Sequence, residues 1–383
     1  MTVDRIYDQN EIRFPKLGWV FHIDRTAFTV FGVDIQWYGI IITTGLLLAM
    51  IYCFSKMKRF GIDTDRALDV AIVGIIGGLI GARLYYVAFR WDEYKGSLKE
   101  IINTRGGGLA IYGGIIGAIA LGYITCRFRK VRALPMLDVT VLGFLIGQGI
   151  GRWGNFVNQE AFGTNTNSFF GMTGGTIQNR ILNETSFLDG DMHAHGLEVA
   201  VDKMVHPCFL YESVWCLLGF VILSWYSKRR KYDGQIFLMY LTWYGAERTF
   251  VEGLRTDSLY IGSSNLRVSQ VLSAIVCIAS IVIQVIIFFR RRRDPEAFVL
   301  YANTEESHKL IEESRRKRMG MPPEDIMGDD DDDDDINYDD DDDDYDNIIG
   351  DDDEDEEPDD DEVPADEDGV DDNENDEADK EDE

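Results

Sequence analysis

The chain has 383 residues and a formal net charge of −31, but this charge is concentrated at one end. Residues 329–383 contain 37 acidic residues against one basic residue, which leaves 36 basic and 31 acidic residues in the rest. The body of the protein is therefore mildly basic, and long apolar runs recur between residues 35 and 290. Such runs argue against a soluble single-domain enzyme and predict a membrane protein.

The N-terminal part of the chain shows no cleavable signal peptide, because no basic stretch leads directly into an apolar run and a small-residue cleavage site. The five cysteines lie in or beside apolar segments without a CxxC pair, and the five histidines are scattered. This pattern indicates neither a disulfide framework nor a metal site. With no nucleotide motif in addition, the sequence implies no cofactor and no nucleic-acid partner.

The apolar runs predict an all-α polytopic membrane protein with about seven transmembrane helices. A hydrocarbon core about 30 Å thick needs about 20 helical residues to cross it. The predicted spans are residues 35–54, 67–90, 109–126, 136–152, 207–226, 234–252 and 268–290. In the second span, Gly74, Gly78 and Ala82 form a row of small residues that favours close packing between helices.

Every second connection between these spans is densely basic. The basic clusters lie at residues 56–66, 127–132, 228–231 and 290–293. By the positive-inside rule these connections are cytoplasmic, which places the N-terminus outside and the C-terminus in the cytoplasm.

The domain boundaries follow from the spans and from the shifts in composition. Residues 303–318 have the composition of a short amphipathic helix at the membrane surface, and the Asp/Glu run beyond them repels itself and cannot bury a core. The predicted parts are an N-terminal extracytoplasmic or interfacial segment (1–34), a seven-span domain (35–293) with an extracytoplasmic head insertion (153–206), and a cytoplasmic tail (294–383) that is disordered and acidic from about residue 329.

Polar side chains in the spans or next to their ends map to the outer half of the membrane. They are Tyr38, Arg83, Tyr112, Arg152, Asn155, His206, Glu212, Arg248 and Glu252, with Asp138 as an exception at the inner side. In the sixth span and just after it, Tyr244, Arg248, Glu252 and Arg255 are predicted to fall within an arc of about 80° on one helical face. Charged groups inside spans are costly, so their convergence predicts a functional polar cavity.

Several chemical interpretations of this cavity remain open from the residues alone. Arg83 alone could extend to the headgroups, and Arg248 with Glu252 could form a self-neutralising pair. Together, guanidiniums at headgroup depth suit an anionic lipid or a phosphate, which arginine binds with two parallel hydrogen bonds. An anion transporter or channel and a lipid-linked sugar transferase are the alternatives. The first needs a polar path to the cytoplasm, and the second needs an acidic outer loop.

The same residues lie in motifs that resemble one known family. The segment GRWGNFVNQEAFG (151–163) is similar to the signature of bacterial prolipoprotein diacylglyceryl transferases. HPCFLYE (206–212) and YGAERTFVEGLR (244–255) match two further elements of that family, and WYG (37–39) and RGGGLAIYGG (105–114) match the others in order. The resemblance covers roughly residues 15–290 and leaves out the acidic tail.

The resemblance implies a transferase that acts on membrane lipids. Members of the family move the sn-1,2-diacylglyceryl group of phosphatidylglycerol to the thiol of a lipobox cysteine in a prolipoprotein signal peptide. The product is a thioether, glycerol 1-phosphate leaves, and the reaction is the first step of bacterial lipoprotein maturation. The expected partners are therefore phosphatidylglycerol, prolipoprotein signal peptides with a lipobox cysteine, and the lipid bilayer. The resemblance also implies a location in the bacterial cytoplasmic membrane.

The resemblance also assigns roles to individual residues. The catalytic candidates are Arg248, Arg152, Tyr112 and Glu252. The substrate-binding candidates are Arg152, Asn155, Tyr38, Asn158, Glu160, His206, Tyr211, Glu212 and Arg255, and Gly163 matches a further family position. Many members have a histidine where this chain has Tyr112, and a phenol with a pKa near ~10 is a poor base. We therefore rank the arginines above Tyr112.

Overall fold

A computed structural model of the chain describes residues 6–104, 107–183, 199–261 and 266–321. Within these ranges the protein is mostly helical, with five short strands. The strands are β1 (Glu11–Phe14), β2 (Trp19–His22), β3 (Thr26–Val30), β4 (Val33–Gln36) and β5 (Thr173–Gly174). The helices are α1 (Trp37–Lys56), α2 (Thr64–Phe89), α3 (Trp91–Tyr94), α4 (Leu98–Ile102), α5 (Ile111–Phe128), α6 (Ala133–Asn158), α7 (Gly175–Leu182), α8 (Cys208–Ser227), α9 (Gln235–Glu252), α10 (Val268–Arg293) and α11 (Glu305–Met319).

Seven long helices lie where the sequence predicts spans, namely α1, α2, α5, α6, α8, α9 and α10. By length and composition, six of them can cross a membrane, and α9 is outside this set. Helix α9 has 18 residues and includes Glu247, Arg248 and Glu252 near its C-terminal end. The structure therefore supports a polytopic membrane protein with six candidate spans, and a span at α9 stays a prediction.

The expectation of an all-α fold is wrong for the N-terminal region. Residues 11–36 contain four strands, and short segments such as EIRF and VDIQ alternate polar and apolar residues at the period of a strand. Glycines at positive φ, Gly18 at 69° and Gly32 at 77°, lie in the turns that connect them. The predicted disordered tail lies outside the described residues, as do Arg105 and Gly106 of the fifth motif.

Helix α6 is the central element of the helical bundle. It packs against α1, α8 and α9, and α9 packs in turn against α10. The apolar core between these helices includes Val139, Leu142 and Leu145 of α6, together with Leu223 of α8 and Ile236 of α9. At one end of this core, Asp138 accepts hydrogen bonds from the backbone N–H groups of Gly234 (2.7 Å) and Phe237 (2.8 Å). Asp138, a polar residue predicted at the inner side of the membrane, thus holds the start of α9 against α6.

Helices α2 and α5 form a close pair through glycine. A Cβ added at Gly77 would lie 2.7 Å from the carbonyl oxygen of Gly117, and one added at Gly117 would lie 2.9 Å from the Cα of Gly81. The prediction of close packing on small residues is therefore confirmed. The tightest approach uses Gly77 and Gly81, which lie beside the predicted row, because they face the glycines of α5 directly.

The segments at the N-terminus and after α6 form one packed unit, which we call the head (residues 6–23, 159–183 and 199–207). Strand β1 pairs with β2 and with β5, where Ile12 lies opposite Gly174. The buried residues Ile12, Phe162, Ile177 and Val205 share one apolar core. This core extends to residues at the end of α6 and the start of α8, and so fixes the two helix ends that carry the polar motifs.

Helix α11 packs at the opposite end of the bundle. Thr304 caps its first turn by accepting from the N–H of Ser307 (3.3 Å), and Gly320 ends it at a positive φ. The Ser307 hydroxyl donates to the carbonyl oxygen of Gly61 (2.8 Å), and Arg66 pairs with Glu313 (2.8 Å). The helix predicted for residues 303–318 is therefore confirmed as a helix.

Candidate functional site

Glu212 is the centre of a buried cluster of arginines. Its side chain is 1% exposed and lies in the first turns of α8. Arg152 of α6 forms an ion pair with one carboxylate oxygen, and Arg248 of α9 pairs with the other at 2.9 Å. Arg255 approaches the same oxygen at 3.4 Å. Three guanidiniums from distant parts of the sequence therefore converge on one carboxylate.

Two of these arginines hold a second carboxylate as well. The Nη2 atom of Arg248 lies 2.6 Å from Glu252 one turn further along α9. Arg255 forms a bidentate pair with Asp257, with N–O distances of 2.8 and 2.6 Å. Helix α9 ends at Glu252, so the continuous helical face predicted to extend to Arg255 is wrong. Arg255 reaches the cluster from an extended segment that bridges to Gly163.

A second polar group forms around Glu160, immediately after the end of α6. The amides of Asn155 (3.0 Å) and Asn158 (3.3 Å) both donate to its Oε1 atom, and Arg180 of α7 lies 3.6 Å from Oε2. The ring of Tyr38 lies against Gly154 at the same end of α6, where an added Cβ would be 2.7 Å from the ring. Four predicted binding residues thus meet at the end of one helix.

Gly163 lies between the Glu160 group and the arginine cluster, and its backbone contacts the segments that carry His206 and Arg255. Its N–H donates to the carbonyl oxygen of His206 (3.0 Å), and an added Cβ would lie 2.9 Å from the carbonyl oxygen of Leu254. The His206 Nδ1 atom lies 3.2 Å from the Tyr211 hydroxyl. Burial lowers the pKa of His206 and so favours the neutral form of its imidazole. Any larger residue at 163 would separate the segments that carry His206 and Arg255.

Two residues predicted at the same depth do not join the cluster. Arg83 donates to four backbone carbonyls, those of Glu100 (2.6 Å), Ile101 (2.8 Å), Gly107 (3.1 Å) and Gly108 (2.8 Å). Its guanidinium is thus used to hold the loop before α5. Tyr112, near the start of α5, is 36% exposed, and no hydrogen bond joins it to the arginine cluster within the part of the chain that the structure describes.

Two buried residues near the site were missed by sequence reasoning. Glu247 on α9 is 4% exposed, and neither of its carboxylate oxygens has a hydrogen-bond partner among the described residues. Gln159, at φ 50°, donates to the Gln9 carbonyl (2.7 Å) and accepts from the N–H of Thr176 (3.1 Å). Gln159 lies inside the long signature, but its role depends on a positive φ that has no sequence marker.

Two arginines of the cluster are partly exposed. The side chains of Arg152 and Arg248 are 18% and 16% exposed, whereas Glu212 between them is sealed. A guanidinium has five N–H donors, and the ion pairs described above use only part of them. The remaining donors of the two arginines are therefore available for further hydrogen bonds while Glu212 keeps their positions. Sites of this kind suit stabilisation of negative charge that builds up on a leaving group.

Comparison with known proteins identifies the family of the chain. The family model for prolipoprotein diacylglyceryl transferase matches residues 25–286. Proteins named phosphatidylglycerol–prolipoprotein diacylglyceryl transferase share 44% identity over 264 residues in Finegoldia magna and 43% over 263 residues in Clostridioides difficile. Each alignment covers 69% of this chain and 95% of the relative. A relative of the same name from Enterococcus faecalis is 41% identical over 69% of this chain and 90% of its own length. The chain belongs to the prolipoprotein diacylglyceryl transferase family.

Proposed function

We propose that this protein transfers the sn-1,2-diacylglyceryl group of phosphatidylglycerol to the lipobox cysteine of prolipoproteins. Membership of the family supports the reaction class. The observation that carries the proposal is the pair of partly exposed arginines, Arg152 and Arg248, held from two helices by the buried Glu212. Such a pair suits the phosphate of an anionic lipid better than a neutral substrate.

The reaction exchanges one bond at the glycerol carbon C3. The cysteine sulfur attacks C3 and forms a thioether, while the bond from C3 to the phosphate oxygen breaks and its electron pair leaves with that oxygen. Glycerol 1-phosphate is released, and the proton of the thiol balances the new charge on the phosphate. Because the thiolate is the nucleophile, positive charge near the thiol favours its ionisation. Arg152 and Arg248 supply that charge and also neutralise the leaving phosphate.

The other candidate residues surround this pair. Glu252 and Glu212 fix the guanidinium of Arg248 between them, and Glu212 also approaches Arg255. Tyr112 takes part in positioning rather than in proton abstraction. The residues that line the substrate path are Tyr38, Asn155, Asn158, Glu160, His206 and Tyr211.

The proposal includes a definite arrangement in the membrane. Helix α9 also crosses the membrane, as the sixth of seven spans, and its three charged residues are tolerated because it packs among α6, α8 and α10. The head and the arginine cluster lie on the outer side of the bacterial cytoplasmic membrane, where the phosphatidylglycerol of the outer leaflet and the lipobox of an exported precursor meet. The acidic tail is cytoplasmic and takes no part in the chemistry.

The test is direct lipidation of a peptide. Purified full-length protein is incubated with phosphatidylglycerol and a lipobox peptide, and the products are measured by mass spectrometry. The expected product is the peptide with a diacylglyceryl group on cysteine, together with free glycerol phosphate. A peptide with serine in place of the cysteine is the matched control and should remain unmodified. Release of glycerol phosphate without a lipidated peptide would indicate a phospholipase and contradict the proposal.

A further inference from the structure

The hairpin formed by β3 and β4 (residues 26–36) has two chemically different faces. In an antiparallel pair, residues directly opposite one another point to the same side. Phe28 lies opposite Ile35, and Val30 lies opposite Val33, so these four apolar side chains share one face. On the other face, the hydroxyl of Thr29 donates to the carboxylate of Asp34 at 2.6 Å.

Three of the four side chains on the apolar face are exposed among the described residues, and Ile35 near the base is half-buried. Phe28 is 52% exposed, Val30 is 40% exposed and Val33 is 65% exposed. At the tip, Phe31 is fully exposed and has φ 49°, followed by Gly32 at φ 77°. A bulky residue rarely adopts positive φ, and asparagine or glycine is the usual choice at this turn position. The tip therefore presents a large aromatic ring where a small polar residue would fit the backbone better.

The hairpin needs a surface to pack on. An isolated two-stranded hairpin is at best marginally stable in water. Its base is fixed, because Arg25 donates to the Thr176 hydroxyl (3.2 Å) and the N–H of Trp37 donates to the Arg25 carbonyl (3.0 Å). The base is thus tied to the head and to the first turn of α1, whereas most of the apolar face and the tip are exposed.

The chain itself indicates which surface this is. Strand β4 ends at Gln36 and α1, a candidate membrane span, begins at the next residue with Trp37. Trp37 is 42% exposed, and Ile42 and Leu46 further along α1 also present apolar surface outward. The hairpin is therefore at the level where a spanning helix enters the membrane, and aromatic side chains are favoured at that level.

We propose that the hairpin is a membrane-contact element whose apolar face and Phe31 insert into the lipid interface on the side where α1 begins. The face bearing Thr29 and Asp34 points to water. This arrangement resembles the way in which amphipathic elements bind a bilayer, with one apolar face buried and one polar face hydrated. It would hold the head and the end of α6 at a constant height above the lipid. The proposal concerns a surface that contributes no residue to the arginine cluster and does not depend on the reaction.

The test uses an environment-sensitive fluorophore on single cysteines in the full-length protein. Four native cysteines are buried, and replacement of the half-buried Cys277 by serine gives the background, which also serves as the labelling blank. The probe positions are Phe31→Cys and Val33→Cys on the apolar side, with Thr29→Cys on the next rung of the polar face as the matched control. The protein is reconstituted in vesicles of phosphatidylcholine and phosphatidylglycerol. Quenching is measured with brominated phosphatidylcholine and with iodide present on both sides of the membrane.

The two faces are expected to respond in opposite ways. At positions 31 and 33 the fluorophore emission should shift to the blue, be quenched by brominated lipid and be insensitive to iodide. At position 29 iodide should quench the emission and brominated lipid should not. Equal quenching by iodide at all three positions would overturn the proposal. Protection of positions 31 and 33 from both quenchers would also overturn it, because a protein surface, such as a second copy of the chain, would then cover the hairpin.

Discussion

At the level of single residues, the site depends on one carboxylate shared by three arginines. Transfer of ions out of water is costly, and the cost is offset only when each charge has a well-placed partner. Glu212 is sealed and is paired with Arg152, Arg248 and Arg255, so it has no access to water as a substitute partner. Its main effect is to keep three like charges close together in the absence of substrate.

Replacement of this carboxylate by an amide of the same shape should therefore be strongly destabilising. Loss of one partner from a buried ion pair typically costs about 3–5 kcal/mol, because the remaining charges stay buried without compensation. We expect Glu212→Gln to lower the midpoint of thermal unfolding in detergent. Glu93→Gln, at an exposed pair with Arg90, is the matched control and should change the stability by no more than about 0.5 kcal/mol. Equal midpoints for both variants would show that Glu212 does not hold the cluster.

Residue chemistry made part of this site predictable. Arg152, Glu212 and Arg248 are costly inside apolar helices, so their presence in three separate spans at one depth already indicated a shared site. The role of Arg83 was not predictable, because its partners are backbone carbonyls, which every residue has. Glu247 was missed for a related reason: its sealed position depends on which side of α9 faces α6 and α8, and the sequence does not specify this.

At the level of elements, close packing of α2 against α5 depends on the absence of side chains. A Cβ added at Gly117 would collide with the backbone of Gly77 and Gly81 in the facing helix. Backbone atoms cannot move aside as the end of a flexible side chain can. The interface is therefore expected to tolerate no branched residue at this position.

The corresponding experiment compares two glycines of the same helix. Gly117→Val should force α2 and α5 apart and destabilise the protein by about 1–3 kcal/mol, the usual cost of overpacking. Gly122→Val is the control, since an added Cβ there meets no atom within 4 Å. Thermal unfolding in detergent measures both. If Gly122→Val is as damaging as Gly117→Val, loss of glycine itself rather than the interface explains the effect.

Element boundaries were predicted unevenly. The apolar runs located seven long helices to within a few residues, except that α6 continues to Asn158, six residues beyond the predicted end. These last six residues of α6 are amphipathic rather than apolar, and Phe156 and Val157 among them pack in the apolar core of the head. The strands between residues 11 and 36 were missed because each has only four or five residues, too few for their alternation to stand out from the neighbouring apolar runs.

At the level of the whole molecule, the chain has two chemically different ends. The head and the arginine cluster lie at one end of the bundle, and helix α11 with the basic connections lies at the other. If the dense basic connections face the cytoplasm, the site must face outward. The orientation of the protein in the membrane therefore decides which lipid leaflet supplies the substrate.

Cysteine accessibility in intact cells checks this orientation. In the Cys277→Ser background, Lys203→Cys in the head should react with a membrane-impermeant maleimide. Lys231→Cys, between α8 and α9, should react only after the cells are permeabilised. Both positions are exposed in the structure, so a difference reports the side of the membrane rather than burial. The reverse pattern would place the arginine cluster in the cytoplasmic leaflet.

The central claim is that Arg152 and Arg248 together clamp the leaving phosphate, and the geometry of arginine makes this testable. Lysine retains the charge but lacks the planar pair of donors, so a clamp should not survive the exchange. Loss of one donor of this kind typically costs about 10²–10³ in rate. Tyr112→Phe should lose less, because we assign that residue to positioning. Arg129→Lys, in an exposed pair with Asp69, is the control and should be near normal.

The decisive measurement is the initial rate of peptide lipidation at saturating phosphatidylglycerol for these four variants in folded, detergent-purified protein. The account predicts that Arg152→Lys and Arg248→Lys each fall by at least about 10²-fold, with Tyr112→Phe between them and the control. Near-normal rates for both lysine variants would contradict the phosphate clamp. A loss in Tyr112→Phe larger than in either arginine variant would make the tyrosine the chemical centre of the site.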